Sequence, residues 1–223
     1  MLDQSTAKGR IVAAALRLAG ERPWGDVTLP DIAKAADVGL NDLRRNFNSK
    51  AEILAAFIRE VDDEVLGRVP ERTSSQSKRD AIFDVVMSRF DVLARYKPAL
   101  KSIAASWSFD PVLLRSICLS QAWMLRAAGI RAEGLEGQLR VAGLGAVYGS
   151  VFRTWLDDED PGLARTMAAL DRRLRRGEQT LASIDAVTSK LCCVASDFAS
   201  VCKRAGAPPA PKDAPEAPPP ASA

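Results

Sequence analysis

Residues 28–54, TLPDIAKAADVGLNDLRRNFNSKAEIL, constrain the fold of this chain more than any other stretch. The apolar residues Leu29, Ile32, Ala36, Val38, Leu43 and Phe47 are spaced for two short helices joined by a tight turn. Such a pair, linked by about three to four residues, lets its second helix enter a DNA major groove. The polar residues Asn41, Asp42, Arg44, Arg45 and Asn46 fall on the outer face of that second helix. Thr28 followed by Asp31, and Ser49 followed by Glu52, are capping pairs that mark two helix starts. Gly39 opens the middle helix, because glycine is tolerated at the cap.

These residues resemble the TetR family of one-component bacterial transcription regulators. The resemblance is carried by Ile32-Ala33, Ala36, Val38, Leu43, the run Phe47-Asn48-Ser49-Lys50, and Ile53-Leu54. It implies an all-α chain with an N-terminal three-helix DNA-binding domain and a C-terminal helical bundle for ligand binding and dimerisation. The implied DNA contacts are Thr28, Gly39, Asn41, Asp42, Arg44, Arg45, Asn46 and Lys50, with Arg44 and Lys50 meeting phosphates. The chain departs from the family pattern at Asp37, where glycine is usual, and at Gly39, where serine is usual. Arg44 and Asn46 stand where aromatic or imidazole side chains are usual. The implied partners are an operator duplex, a small apolar ligand and a second copy of the chain.

Charge narrows the mode of DNA contact. Formal net charge over the 223 residues is +3, and acidic residues slightly outnumber basic ones across residues 1–68. Binding cannot then rest on bulk positive charge, and must depend on where Arg44, Arg45 and Lys50 lie. Histidine is absent, which removes the commonest general base and transition-metal ligand. Cys118, Cys192, Cys193 and Cys202 form no Cys-x-x-Cys pair or metal spacing. The expectation is a non-enzymatic protein with no cofactor and no metal. The opening MLDQSTAKGR does not read as a signal peptide, and no apolar run suffices for a membrane span, so a cytoplasmic location is expected.

Helical periodicity continues along the chain. A first helix is expected from about Ser5 to Glu21, and a long one from Lys50 to near Gly67. A polar loop follows over 71–78, then a helix with Phe83, Met87 and Phe90 facing inward. Pro98 and Asp110-Pro111 open further helices. Another is expected from Leu135 to Asp157, one from Asp160-Pro161 to before Gly177, and a last from Glu178 to Lys203. From Ala205 the chain is rich in alanine and proline and has no apolar face. The expected division is residues 1–50 for DNA binding, 51–203 for ligand binding and dimerisation, and 204–223 as a tail.

Met87, Phe90, Trp107, Trp123 and Phe152 are the candidate ligand-pocket residues, with ordinary core packing as the alternative. Gly145 and Gly149, one helical turn apart, suit close approach of another helix, either across a dimer interface with Leu170 or within one subunit. Arg172, Arg173, Arg175 and Arg176 read as a solvated helix end. Residues 143–176 also resemble TetR-fold ubiquinone-biosynthesis accessory proteins, which bind lipid and not DNA. The mixed charge of the last helix (Asp185, Lys190, Asp197, Lys203) lacks the basic bias of a membrane-surface helix.

Overall fold

The computed structural model describes residues 4–70, 76–106 and 110–177, and every regular element among them is helical. Trp107, the helix expected over 178–203 with its three cysteines, and the tail 204–223 lie outside the described residues.

The N-terminal unit follows from its caps. Helix α1 runs Ala7–Glu21, with the Thr6 hydroxyl accepting from the Gly9 N–H at 3.0 Å. It buries Ile11, Ala14, Ala15 and Ala19 and stops before Pro23, whose missing N–H cannot continue a helix. A 3-10 turn at Trp24–Asp26 leads to α2 (Leu29–Ala35) and α3 (Leu40–Asn46). Both pack against α1.

Helix α4 (Lys50–Arg68) is a single rod leaving this unit for the body. Its apolar face, Ile53, Leu54, Phe57, Val61 and Val65, is buried against α1, α5 and α7. The body continues with α5 (Lys78–Leu93), a 3-10 turn at Ala94–Tyr96, α6 (Lys97–Ala105), α7 (Pro111–Ala127) and α8 (Gly134–Leu156). The expected signals operate: Pro98 lies in the first turn of α6, and Asp110 accepts from the Val112 and Leu113 N–H groups to start α7.

The turn after α8 corrects one boundary. Asp160-Pro161 was expected to start a helix, but Leu163 takes a left-handed φ of 50°, and helix α9 occupies 164–177 instead. Asp160 still caps it, accepting from Gly162 and Ala164 N–H groups at 3.1 Å each. Asp158 holds the turn from beneath: its carboxylate accepts from the Thr166 N–H at 2.9 Å and hydroxyl at 2.7 Å. These bonds hold the Asp158 carboxyl below its usual range, against the opposing effect of burial.

The body's centre is aromatic. Phe90 stacks on Tyr148 and Trp155, with ring centroids 5.4 and 5.2 Å apart. Phe152 extends the wall by stacking on Tyr148 and Trp155. Beside it lies a buried polar cluster. Asp62 of α4 accepts from Arg89 of α5 and from the Ser120 hydroxyl of α7 at 2.7 Å. Arg89 also donates to the Tyr148 hydroxyl of α8 at 3.2 Å. One carboxylate on α4 thereby connects α4, α5, α7 and α8.

Candidate nucleic-acid interface

The helix-turn-helix is built by backbone satisfaction first and side-chain packing second. At the start of α2 the Thr28 hydroxyl donates to Asp31 Oδ2 at 2.7 Å, and the Thr28 N–H donates to the same oxygen at 3.0 Å. The Asp31 N–H donates back to Thr28 Oγ1, completing a reciprocal box. Arg22 pairs with Asp31 at 2.8 Å, tying the end of α1 to this cap. The Thr28 bonds, helped by Arg22 and opposed by partial burial, lower the Asp31 pKa.

The turn closes by a Schellman pattern. Asp37 takes φ 53°, and the Val38 N–H reaches Ala33 O at 3.1 Å while the Asp37 N–H reaches Lys34 O at 3.3 Å. Glycine usually fills this left-handed position, and aspartate is among the few other residues that tolerate it. The Asp37 departure therefore leaves the turn intact. Gly39 caps α3 with extended backbone and no side-chain bond.

Helix α3 buries Leu43 and exposes Asn41, Asp42, Arg44, Arg45 and Asn46, as the sequence pattern requires. The exposed groups are not equally available. Arg45 pairs with Asp42 at 3.7 Å, and the Asn46 amide donates to Asp42 O at 2.8 Å. Arg44 and Asn41 make no hydrogen bond or ion pair among the described residues. Leu40, absent from the sequence-based set, is 57% exposed at the first turn of α3. A solvent-facing leucine on an otherwise polar helix was the available signal, since apolar side chains read thymine methyl groups.

Lys50 is placed differently from its expected role at a phosphate. Its ammonium donates to Trp24 O and Val27 O, both at 2.7 Å, and lies 4.5 Å from the Trp24 ring centre. Loss of water at this position lowers its pKa, partly offset by Asp26. Lys50 thus fastens the start of α4 to the loop before α2. Trp24 itself is buried, and its N–H donates to the Ser102 hydroxyl of α6 at 2.9 Å. That hydroxyl donates to Arg22 O, so α6 grips the backbone on both sides of Pro23.

The candidate pocket residues that the structure describes differ in burial. Phe90 is fully buried, Met87 and Phe152 are half-buried, and Trp123 is 49% exposed with the Arg126 guanidinium 5.0 Å from its ring centre. Trp123 departs from expectation because the α7 face that carries it, with Leu119 and Val112, is turned to solvent. One surface groove, between α5 and α9, is lined by Phe83 and Met167, and a second lies at the junction of the helix-turn-helix with α6 and α7. Met87, Phe90, Trp123 and Phe152 line neither.

Of the candidate interface residues, Gly149 faces open space, and Gly145 sits over Gln121, its built Cβ 3.9 Å from Gln121 Cγ. Leu170 is fully buried within the chain, so the core and not an external face takes it. No helix among the described residues is long and apolar enough to cross a membrane, and no group of potential metal ligands occurs among them.

The family model described as bacterial regulatory proteins, tetR family, matches residues 11–57, the span from α1 into α4. No curated protein matches the chain. Among solved structures, a TetR transcriptional regulator from Rhodococcus sp. RHA1 aligns at 22% identity and TM-score 0.60, covering 78% of this chain and 97% of that one. One from Nitrosomonas europaea aligns at 22% identity and TM-score 0.59, covering 78% and 99%. One from Streptomyces coelicolor aligns at 14% identity and TM-score 0.55, covering 87% and 88%. Residues 11–57 are therefore a tetR-family N-terminal domain, and the helices that follow it complete the fold of solved TetR regulators.

Proposed function

We propose that this protein is a transcriptional repressor that binds an operator duplex as a homodimer and is released by a small apolar or amphipathic ligand. The observation that carries the reading is α3. Its polar face is exposed on a helix fixed by a capping box, a Schellman turn and the buried Leu43. Arg44 and Asn41 are unengaged there. Arg44 serves as a phosphate contact, while Asn41, Arg45 and Leu40 are placed for base edges. Residues 1–50 act as the DNA-binding part and the helices from residue 51 as the ligand and dimer body.

Support for the dimer comes from α8. Leu135, Leu139, Ala142, Ala146 and Gly149 recur every three to four positions along one exposed face, with Gly143 beside it. Small residues there let a twin helix approach closely, and exposed leucines at one end supply apolar area. A twofold dimer sets two α3 helices about 34–36 Å apart, one turn of duplex. A ligand that favours another separation shifts the population away from DNA binding.

The test is selection of bound sequences from a random duplex library with the purified full-length chain, followed by affinity measurement on the selected and a scrambled duplex. A palindromic sequence bound about a thousandfold or more over scrambled duplex is expected. Equal weak binding to both overturns the reading.

A further inference from the structure

The exposed face of α3 carries a carboxylate, which opposes contact with a phosphate backbone unless a cation answers it. Asp42 Oδ1 lies 3.7 Å from Arg45 Nη1, with the two side chains 55% and 72% exposed. The other oxygen, Oδ2, leans back over the helix start, 3.6 Å from where a Cβ on Gly39 would stand. This is the ordinary lean of a helical side chain toward the N-terminus. The Asp42 carboxylate therefore runs along α3 between Gly39 and Arg45.

Arg45 is the cation on this face that has a carboxylate beside it. Arg44, about 100° further round the helix, has no partner among the described residues, and Lys50 is held by two carbonyls. A guanidinium presents its N–H groups in a planar fork. With Nη1 turned to Asp42, no hydrogen bond holds the Nη2 and Nε edge of Arg45 among the described residues. Guanine offers O6 and N7 to such an edge in the major groove. In the free protein an ion pair this exposed contributes little. Against a base edge water is displaced, and the same attraction strengthens as the local dielectric falls.

We propose that Arg45 reads a guanine in each operator half-site and that Asp42 is the positioning residue that holds its fork. Arg45 Nη2 and Nε donate to guanine O6 and N7, while Asp42 keeps Nη1 turned along the helix and touches no base itself. The Asp42 charge weakens attachment to every duplex alike, so the pair exchanges affinity for selectivity. Arg45 can read a base only where the chain binds an operator, so this role rests on the function proposed above.

The test is selection from a randomised duplex library with the full-length wild type, Arg45→Lys, Asp42→Asn and the double variant, followed by affinities for the selected duplex, its single-base variants and a scrambled duplex. The wild type should prefer guanine at one half-site position by roughly ten- to hundredfold. Arg45→Lys keeps the charge and loses the fork, so it should lose that preference with the salt dependence nearly unchanged. Asp42→Asn should lower the same preference by about three- to fivefold and bind scrambled duplex more tightly. In the Arg45→Lys background, Asp42→Asn should lower selectivity no further. A selected duplex whose guanine preference survives Arg45→Lys overturns this role and leaves the operator reading standing. So does an Asp42→Asn variant that keeps the full preference, or loses preference at a different base. Failure of the wild type to select any duplex over scrambled overturns both.

Discussion

Asp62 on α4 and Arg89 on α5 form an ion pair closed off from solvent, and Ser120 on α7 donates to the same carboxylate oxygen. Their sequence separation is 27 residues, so only the packed bundle brings them together. Removing one partner strands the other's charge. Asp62→Ala is expected to destabilise the protein by about 3–5 kcal/mol, whereas Asp62→Leu combined with Arg89→Met should restore most of that loss. Urea unfolding of the single and double variants measures both. A double variant as unstable as Asp62→Ala would show that the pair itself, and not its desolvation balance, stabilises the bundle.

Arg44 and Lys50 should behave differently when truncated. Arg44 is exposed and without a partner among the described residues, while Lys50 is held by two carbonyls. Arg44→Ala is expected to weaken binding to all operator sequences and reduce the log–log salt slope by about one unit. Lys50→Met should leave that slope nearly unchanged and lower stability by about 1–3 kcal/mol, since Val27 O loses its donor while Trp24 O keeps only the Val27 N–H at 3.3 Å. Fluorescence anisotropy across a salt series, with thermal unfolding alongside, separates the two roles. A slope change confined to Lys50→Met would reverse the assignment.

The turn position Asp37 carries a small backbone cost. A left-handed conformation costs an L-residue roughly 1–2 kcal/mol, less for aspartate, so Asp37→Gly should stabilise the chain by about 0.5–1 kcal/mol. Asp37→Val, with a branched side chain at the same φ, should destabilise it by more than about 1 kcal/mol. Denaturant midpoints of the two variants should lie on opposite sides of the wild type.

Assembly is tested at Gly149, where an added side chain meets open space within the chain. Gly149→Arg should leave thermal unfolding of the subunit unharmed, since arginine also favours helix over glycine. It should nevertheless sediment as a monomer at concentrations where the wild type is dimeric. A variant that remains dimeric would place the interface elsewhere.

Acid stability should depend on the turn after α8. The folded pKa of Asp158 lies below its ordinary value, so the unfolded chain takes up its proton first as pH falls. The contribution is complete above the unfolded value, near pH 4, and is lost as pH drops through the folded value. Asp158→Asn should therefore be less stable than wild type at neutral pH, and the gap should narrow steadily below about pH 4. Urea midpoints at several pH values follow the gap.

Local chemistry made the helix starts readable. Thr28 with Asp31, Ser49 with Glu52, and Asp110 before Pro111 each act within one helical turn, so their sequence spacing is their geometry. The same is true of the exposed polar face of α3. What escaped depends on distance along the chain or on backbone sign. The bonds of Lys50 to Trp24 and Val27 span 26 and 23 residues, and nothing in a lysine's neighbours announces them. Leu163 is an unlikely residue for a left-handed turn, so the Asp160-Pro161 signal predicted too early a start for α9. Trp123 resembles a core residue by type, but its side of α7 faces solvent. Phe90 was expected to face inward and Phe152 was named with it as a pocket candidate, yet periodicity cannot tell a packed wall from a cavity lining.

The hydroxyl of Ser102 holds the Trp24 amide and the Arg22 carbonyl at once. The Trp24 amide proton can exchange with solvent only when α6 lets go of this loop. Its exchange rate is therefore a clock for separation of the helix-turn-helix from α6, readable at a single backbone position. Any ligand or duplex that slows this clock favours the closed junction, and any that speeds it loosens the joint, whichever surface it binds.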